Sequence, residues 1–428
     1  MKKAIVVGSG AGGATVAKEL QGQYHVTVLE TGKPFEPFRL PLERFELMRQ
    51  AGLLYDERHI HYVMPAYRVE RSKGNMTLVS GSGLGGTTTL CTGNALRMDH
   101  ALKTLGIDLD GEFEEISREI PITTAHQQNW RRTTRQLFSI FQGLGLEPQP
   151  MPKMGRYEHC LHCGRCQLGC PQGIKWDSRH FLQRAVEHGA EVKTGCTVES
   201  VVIAGGRTTG VRVKNGWAQN VLPADLVILA AGGLGTARIL ANSGVACERH
   251  LFTDPVLCMA ARLPDCRQHR EVSMPFVSTQ GKIILSPYFD HLSFFFNRDW
   301  RAPADDIVSI MIKLADEANG SVSRGEVKKA LTDQDREQLG RGVELCREIL
   351  SRFGARQDAM FLGTLIAGHP GGTLPLTARE ATSLHDERLP ENLYVADASL
   401  LPQSLGNPPI LTIIALAKRI SKILCKIG

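Results

Sequence analysis

A glycine turn near the start of the chain does most to narrow what it can fold into. Residues 4–7 form an unbroken apolar run, Gly8-x-Gly10-x-x-Gly13 follows, residues 14–20 read as a helix, and residues 25–29 return to a strand that ends at Glu30. Gly8, Gly10 and Gly13, with Ala11 inside the turn, permit a tight turn and close backbone approach, so that a pyrophosphate can rest on the helix N-terminus. A carboxylate at the tip of the second strand can accept hydrogen bonds from ribose hydroxyls and disfavours a phosphate there. A bare glycine pattern is often only a turn. Strand, turn, helix, strand and acid together specify a dinucleotide-binding β-α-β unit, and the expected fold class is α/β, α+β overall.

Gly81-x-Gly83-x-x-Gly86 repeats the spacing, but it runs into Thr87-Thr88-Thr89, which are poor helix formers, and no acid-tipped strand follows at the right distance. A second nucleotide site is therefore rejected. Residues 34–75 read as an irregular excursion with Pro34, Pro37 and Pro41, residues 129–144 have helical spacing, and residues 147–155 form a proline-bearing linker. Beyond it, residues 178–187 read as helix, and residues 191–194, 197–203 and 226–229 as strands of the nucleotide domain. Residues 250–365 lack glycine-rich phosphate loops and carry apolar runs at 282–285 and 292–296, as a sheet lining a substrate cavity would. Residues 393–395 return to strand, and residues 411–424 close with a helix. A chain of 428 residues exceeds what one core usually serves, so two intertwined domains are expected. Residues 1–110, 172–250 and 366–428 make a discontinuous Rossmann-like nucleotide domain, residues 150–175 a cysteine-rich loop, and residues 251–365 a smaller sheet-based substrate domain.

Hydrophobic residues at 42% and charged residues at 22% are ordinary for a soluble globular protein. The net charge of +6 comes without the clustered Lys/Arg and interleaved aromatics of a nucleic-acid surface, so no nucleic-acid partner is expected. No apolar run approaches the ~20 residues of a membrane-spanning helix. The apolar start is cut by Gly8, Gly10, Gly12 and Gly13 before it takes signal-peptide form, and a cytoplasmic location is the expectation.

Four of the eleven cysteines fall in one short run, Cys160-x-x-Cys163-x-x-Cys166-x-x-x-Cys170-Pro171. The spacing and the final proline reproduce the ferredoxin run, whose thiolates can close around a four-iron four-sulfur cluster. Zinc and free structural thiols are the alternatives, and Cys196 is a candidate to complete the shell, because the fourth ferredoxin cysteine often serves another cluster. His159 and His162 read as exposed rather than ligating.

Four further segments follow one another in order: Gly81-Ser82-Gly83-Leu84-Gly85-Gly86-Thr87 with Asn94; Leu229-Ala230-Ala231-Gly232-Gly233-Leu234-Gly235-Thr236; Leu393-Tyr394-Val395-Ala396-Asp397-Ala398-Ser399 with Pro402; and Asn407-Pro408-Pro409-Ile410-Leu411-Thr412-Ile413. Together they resemble the glucose-methanol-choline family of alcohol-oxidising flavoenzymes, most weakly across residues 250–365. The resemblance implies FAD as cofactor. Backbone amides around Gly85, Gly86 and Thr87, with Asn94, would meet the pyrophosphate and the flavin edge. Ala231 and Gly232 would lie under the adenosine half, Val198 would make a backbone contact to adenine, and Asp397 would lie beside the ribityl-phosphate region. Pro409 and Thr412 belong to the last cofactor-binding motif.

Gly368-His369-Pro370-Gly371-Gly372-Thr373 is similar to the segment that carries the family's active-site histidine, closest to its cholesterol-oxidase-like members. An imidazole titrates near neutrality, so His369 can take a proton from a substrate hydroxyl as hydride leaves for the flavin. Where the family usually has a second His or Asn this chain has Pro408, whose side chain neither donates nor accepts, with Asn407 one residue earlier. Related flavoenzymes carry a partly similar cysteine loop without a cluster, followed by the Gly-x-Lys that is here Gly173-Ile174-Lys175.

The expected function is hydride transfer from a CH–OH group of an alcohol-type substrate to FAD, with electrons passing through the cluster to an acceptor protein or quinone. Phe294, Phe295 and Phe296 are candidates to line the cavity, with core packing the alternative. Two rival readings stand beside it. One is a flavin/iron-sulfur reductase or desaturase acting on carbon-carbon bonds, which Pro408 favours, and the other is a non-catalytic redox carrier or sensor.

Overall fold

The computed structural model describes residues 1–428 apart from 54, 55, 63, 217 and 428. A five-stranded parallel sheet runs in the order Leu393–Val395, Leu226–Leu229, Lys2–Val7, Tyr24–Leu29, Glu191–Lys193. Its central strands are almost continuously apolar because helices cover both faces, as the physics of parallel sheets requires. Helix Ala11–Glu19 packs between helices Arg179–Glu187 and Ile410–Ile427, so the C-terminal end of the chain closes over the N-terminal glycine turn. A three-stranded antiparallel meander, Thr197–Ala204, Arg207–Asn215 and Ala218–Pro223, lies against helix Gly232–Asn242.

The second sheet has nine strands and draws them from well outside residues 251–365. It runs Tyr67–Arg71, Thr77–Gly81, Ile366–Ala367, Pro255–Arg262, Ile307–Leu314, Ile283–Pro287, Phe276–Gln280, Gln149–Pro150, with Met360–Leu362 also paired to Pro255–Arg262. The period of two sorts its residues cleanly. Val308, Ile310, Ile312 and Leu314 join a core with Leu137, Phe141, Leu339, Cys346 and Ile349 beneath the long helix Asp333–Phe353. Ile307 and Met311 face the opposite side with Val256, Cys258 and Ala260. Lys313, a buried ammonium near the end of the strand, shares that parity with Ser309.

Two departures from expectation stand out. The run at 292–296 is not a strand but part of the helix His291–Phe296, capped by Asp290, whose Oδ1 accepts the Leu292 N–H at 3.0 Å. A short apolar run buried on all sides carries no period to separate strand from helix, and the carboxylate cap decided it. Phe294, Phe295 and Phe296 are accordingly core residues, packed with Phe38, Phe45 and Trp300. The helix Asp333–Phe353 was not foreseen, although its signals are plain: a capping box between Thr332 and Asp335 and a left-handed Gly354 after its last residue.

Candidate active site

The first glycine turn is shaped by close approach. A Cβ on Gly8 would lie 2.3 Å from the Ala230 oxygen, one on Gly12 1.6 Å from the Ala396 oxygen, and one on Gly13 2.0 Å from the Gly8 oxygen. Gly10 differs, because a Cβ there would meet nothing within 4 Å. The helix that starts at Ala11 has no side-chain cap, so its first N–H groups open onto that space with no acidic residue in the first turn. This is the environment an anionic pyrophosphate fits.

Glu30 binds the two glycine turns together. Its Oε2 accepts from Ser9 N at 3.1 Å and Ser9 Oγ at 2.6 Å, and its Oε1 accepts from Gly32 N at 2.8 Å and Gly83 N at 3.2 Å. Ser9 Oγ in turn accepts from Gly85 N at 3.1 Å. Four donors fill a carboxylate, so a ribose hydroxyl reaches Glu30 by displacing one of them. Gly85 and Gly86 have φ of +93° and +52°, and a Cβ on Gly86 would stand 3.1 Å from Gly10 Cα. Both turns therefore border one space. Thr87 Oγ1 accepts from Gly81 N at 3.0 Å. Asn94 is buried, donating to Met274 Sδ at 3.1 Å and accepting from Lys153 Nζ at 2.6 Å.

The later motifs converge on the same turn. Asp397 Oδ2 accepts from Gly232 N at 2.9 Å and Thr236 Oγ1 at 2.5 Å, while Ala231 N donates to Thr236 Oγ1 at 3.1 Å. Burial holds the Asp397 carboxyl above its ordinary range despite these donors. The Pro409 carbonyl accepts from Ile413 N at 2.9 Å, and Thr412 Oγ1 donates to Met98 O at 3.0 Å, which anchors helix Ile410–Ile427. Val198 lies buried in the meander strand Thr197–Ala204.

His369 lies in the loop that follows Ile366–Ala367, a strand paired on both sides within the large sheet, and a Cβ on Gly233 would stand 2.1 Å from the Pro370 oxygen, so this loop abuts the nucleotide domain. Its side chain is 20% exposed, yet Nδ1 is buried without a hydrogen-bond partner and lies 3.7 Å from Asp254 Oδ2. Asn407 Oδ1 is likewise buried and unpartnered. Asp254 connects the two segments, since its Oδ1 accepts from Gly406 N at 3.1 Å and is bonded by Ser404 Oγ, while Oδ2 pairs with Lys313 Nζ at 2.7 Å. Burial, and then the charge of Lys313, hold the His369 imidazole well below its ordinary pKa. Asp254, Lys313, Ser404 and Ser9 were not found from sequence. Lys313 had a signal, a lone cation inside an apolar strand, and Asp254 had none.

The four cysteines at 160, 163, 166 and 170 line one cavity together with Tyr157, Ile174, Lys175 and Val272. Among the described residues, no three His, Cys, Asp or Glu side chains are gathered as a single metal ion would hold them. Burial pushes the Cys160 thiol up to about 12 and raises that of Cys166. Cys196 is not part of this shell. Its N–H donates to the Glu30 carbonyl at 2.9 Å, and its side chain packs in the nucleotide-domain core. His159 is exposed as expected, but His162 is buried, on a left-handed backbone with φ +54°. Lys175 donates to the carbonyls of Thr88 at 2.8 Å and Thr89 at 2.9 Å, so the loop packs directly behind the second glycine turn.

A doubly-wound nucleotide domain with two touching glycine turns, beside a large sheet whose loop after Ile366–Ala367 carries a histidine toward it, is the architecture of a dinucleotide-dependent oxidoreductase. Residues 2–259 match the N-terminal model of the GMC oxidoreductase family and residues 311–417 its C-terminal model. The chain belongs to that family and is an FAD-dependent oxidoreductase. It is 28% identical to an uncharacterised protein of Methanocaldococcus jannaschii, over 97% of each chain. With the long-chain-alcohol oxidase FAO3 of Arabidopsis thaliana it shares 26% identity over 99% of this chain and 67% of that one. In fold it is similar to pyridoxine 4-oxidase from Mesorbium loti, with a TM-score of 0.72, 17% identity and 99% of both chains covered. Among the described residues no helix is long and apolar enough to cross a membrane.

Proposed function

We propose that the chain oxidises the hydroxyl of an alcohol-type substrate, with His369 taking the hydroxyl proton. The carrying observation is the pair of buried, unpartnered polar atoms, His369 Nδ1 and Asn407 Oδ1, on two segments that both lean on Asp254 beside the glycine turns. Bound FAD supplies the two-electron acceptor for the hydride. Gly10, Ala11 and Gly13 would hold its pyrophosphate with Gly85 and Gly86, and Gly232 and Asp397 would flank it. With Nδ1 turned inward, Nε2 is the nitrogen a substrate can reach. Its lone pair is free at neutral pH because burial keeps the ring uncharged. The Arabidopsis relative named for long-chain alcohols supports an alcohol as the substrate class.

The cysteine cavity is the proposed electron exit. Four cysteines lining one cavity support the reading of a four-iron cluster, and the buried lysines Lys153 and Lys175 would offset the charge that a thiolate-bound cluster carries. The acceptor would be a protein or a quinone, making the enzyme a dehydrogenase. Anaerobically purified protein should show flavin absorption together with a broad band near 400 nm, with iron and acid-labile sulfide in equal amounts. A primary or secondary alcohol should bleach the flavin. Colourless protein that takes up no FAD would end the alcohol reading, and flavin without iron would end the cluster reading alone.

A further inference from the structure

We propose that Asp254 is the positioning carboxylate of His369, fixing the tautomer of the ring and receiving the charge that forms on it. The inference rests on His369 being the base of the reaction above. Asp254 is fully buried at the start of strand Pro255–Arg262, with its carboxylate gripped on both oxygens: Ser404 Oγ and Gly406 N bond Oδ1, and Lys313 Nζ bonds Oδ2 at 2.7 Å. The oxygen that meets Lys313 is also the one 3.7 Å from His369 Nδ1.

The arrangement is costly for the fold. Asp254 has φ +50°, a left-handed conformation that disfavours side chains with a Cβ. A second carboxylate holds the backbone there: Asp316 Oδ1 accepts from Asp254 N at 2.8 Å, and both its oxygens accept from Thr253 N at 3.1 Å. Asp316 is itself paired with Lys329 at 2.8 Å, with neither side chain exposed. Two adjacent buried ion pairs seldom add net stability, since desolvation consumes what the attraction gives. What they deliver here is a rigid anion behind one imidazole nitrogen.

The chemistry follows from that placement. Asp254 Oδ2 faces Nδ1 at 3.7 Å, too long for a hydrogen bond in this structure, and would accept its N–H once the contact tightens as the ring charges, which leaves the Nε2 lone pair toward the substrate. The substrate O–H bond breaks and its proton goes to Nε2. Bound FAD would supply the acceptor for the C–H electron pair, which would leave the carbon as hydride while that carbon becomes a carbonyl. The imidazolium then stands between Asp254 and the site, with Lys313 on the far side of the carboxylate. Asp254 and Lys313 therefore act on His369 with opposite sign, and Asp316 and Lys329 form the paired layer behind them.

The test uses the FAD-loaded protein and three variants, D254N, K313M and H369A, followed by stopped-flow flavin reduction with a reactive alcohol, by flavin content and by the ¹⁵N shifts of the His369 ring. D254N preserves volume and the acceptor for Ser404 and Gly406. It should keep its flavin and lose about 10²–10⁴-fold in reduction rate, with the ring nitrogens changing from one tautomer to a mixture. K313M should shift the acid limb of the reduction rate to higher pH, because removing a cation raises the imidazole pKa, whereas D254N should shift it lower. If D254N does not fold, S404A removes a single bond to Asp254 and should still alter the tautomer ratio. D254N reducing flavin within about threefold of wild type, with unchanged ring shifts, while H369A is inactive, overturns the inference and leaves His369 as base. H369A reducing flavin normally overturns both.

Discussion

Lys153 donates its ammonium to Asn94 Oδ1 at 2.6 Å and to the carbonyls of Thr92 at 3.1 Å and Ser273 at 2.7 Å, from a side chain with no exposed surface. Burial pushes this ammonium down to about 8, yet three acceptors converge on it. It holds the Asn94 side chain through its Oδ1, while the amide nitrogen donates to Met274 Sδ. K153M should orphan those acceptors at about 1–3 kcal/mol each, less what relaxation recovers. A lower thermal midpoint and a weaker FAD titration should appear together. An unchanged FAD affinity in a destabilised variant would remove Asn94 from the cofactor site.

Gly12 is the tightest position of the first turn, where a Cβ would sit 1.6 Å from the Ala396 oxygen and 3.4 Å from Ile413 Cγ2. That contact seats helix Ala11–Glu19 against the segment leading to Asp397. Because the obstacle is backbone rather than a flexible side-chain end, G12A must separate the elements. The expected cost exceeds the ~1–3 kcal/mol typical of overpacking, with FAD lost on gel filtration. G10A meets no protein atom within 4 Å and should fold normally while binding FAD more weakly. The contrast between the two glycines, in melting and in flavin content, locates the ligand space without a bound ligand.

The nucleotide domain was readable because its signals are local. Ala4 to Val7, the glycine spacing and Glu30 all lie within one β-α-β unit, and strands such as Leu226–Leu229 and Leu393–Val395 emerged at the expected residues. The site beside it was only half readable. His369 and Asn407 carry chemistry in their residue types and in their motifs, but Asp254 pairs with Lys313, 59 residues away. No periodicity reports such a contact. His291–Phe296 failed as a strand for the same reason: burial on every side erases the alternation that distinguishes the two periods.

His369 is held well below its ordinary pKa, by burial first and by Lys313 second. A general base must be deprotonated to act, so the rate should fall on the acid side only as pH drops through that lowered value. Flavin reduction by a saturating alcohol should therefore be flat from pH 8 through the ordinary histidine range near 6.5, with its acid limb lower still. An acid limb centred at or above 6.5 would mean that the base is another group, or that His369 is solvated when substrate binds.

Two other histidines make folding itself sensitive to acid. His126 Nε2 bonds the Met151 carbonyl at 2.8 Å while its Nδ1 accepts from Trp130 Nε1 at 3.0 Å, and His291 Nδ1 takes the Gln167 amide at 2.7 Å. Each ring uses a lone pair as acceptor inside the core, so protonation breaks a bond as well as burying a charge. Burial holds His126 down to about 4 and His291 down to about 3. The unfolded chain binds protons near 6.5, so between 6.5 and about 4 it holds more protons than the native state at both positions. Stability must then fall with pH, at up to about 1.4 kcal/mol per pH unit for each histidine. Urea midpoints should drop steadily from pH 6.5 to 4, and replacing His126 by Gln, which keeps an acceptor and a donor but cannot ionise, should flatten the slope by one histidine's share. An identical slope in that variant would mean that His126 is already charged in the folded protein and that its bond from Trp130 does not persist in solution.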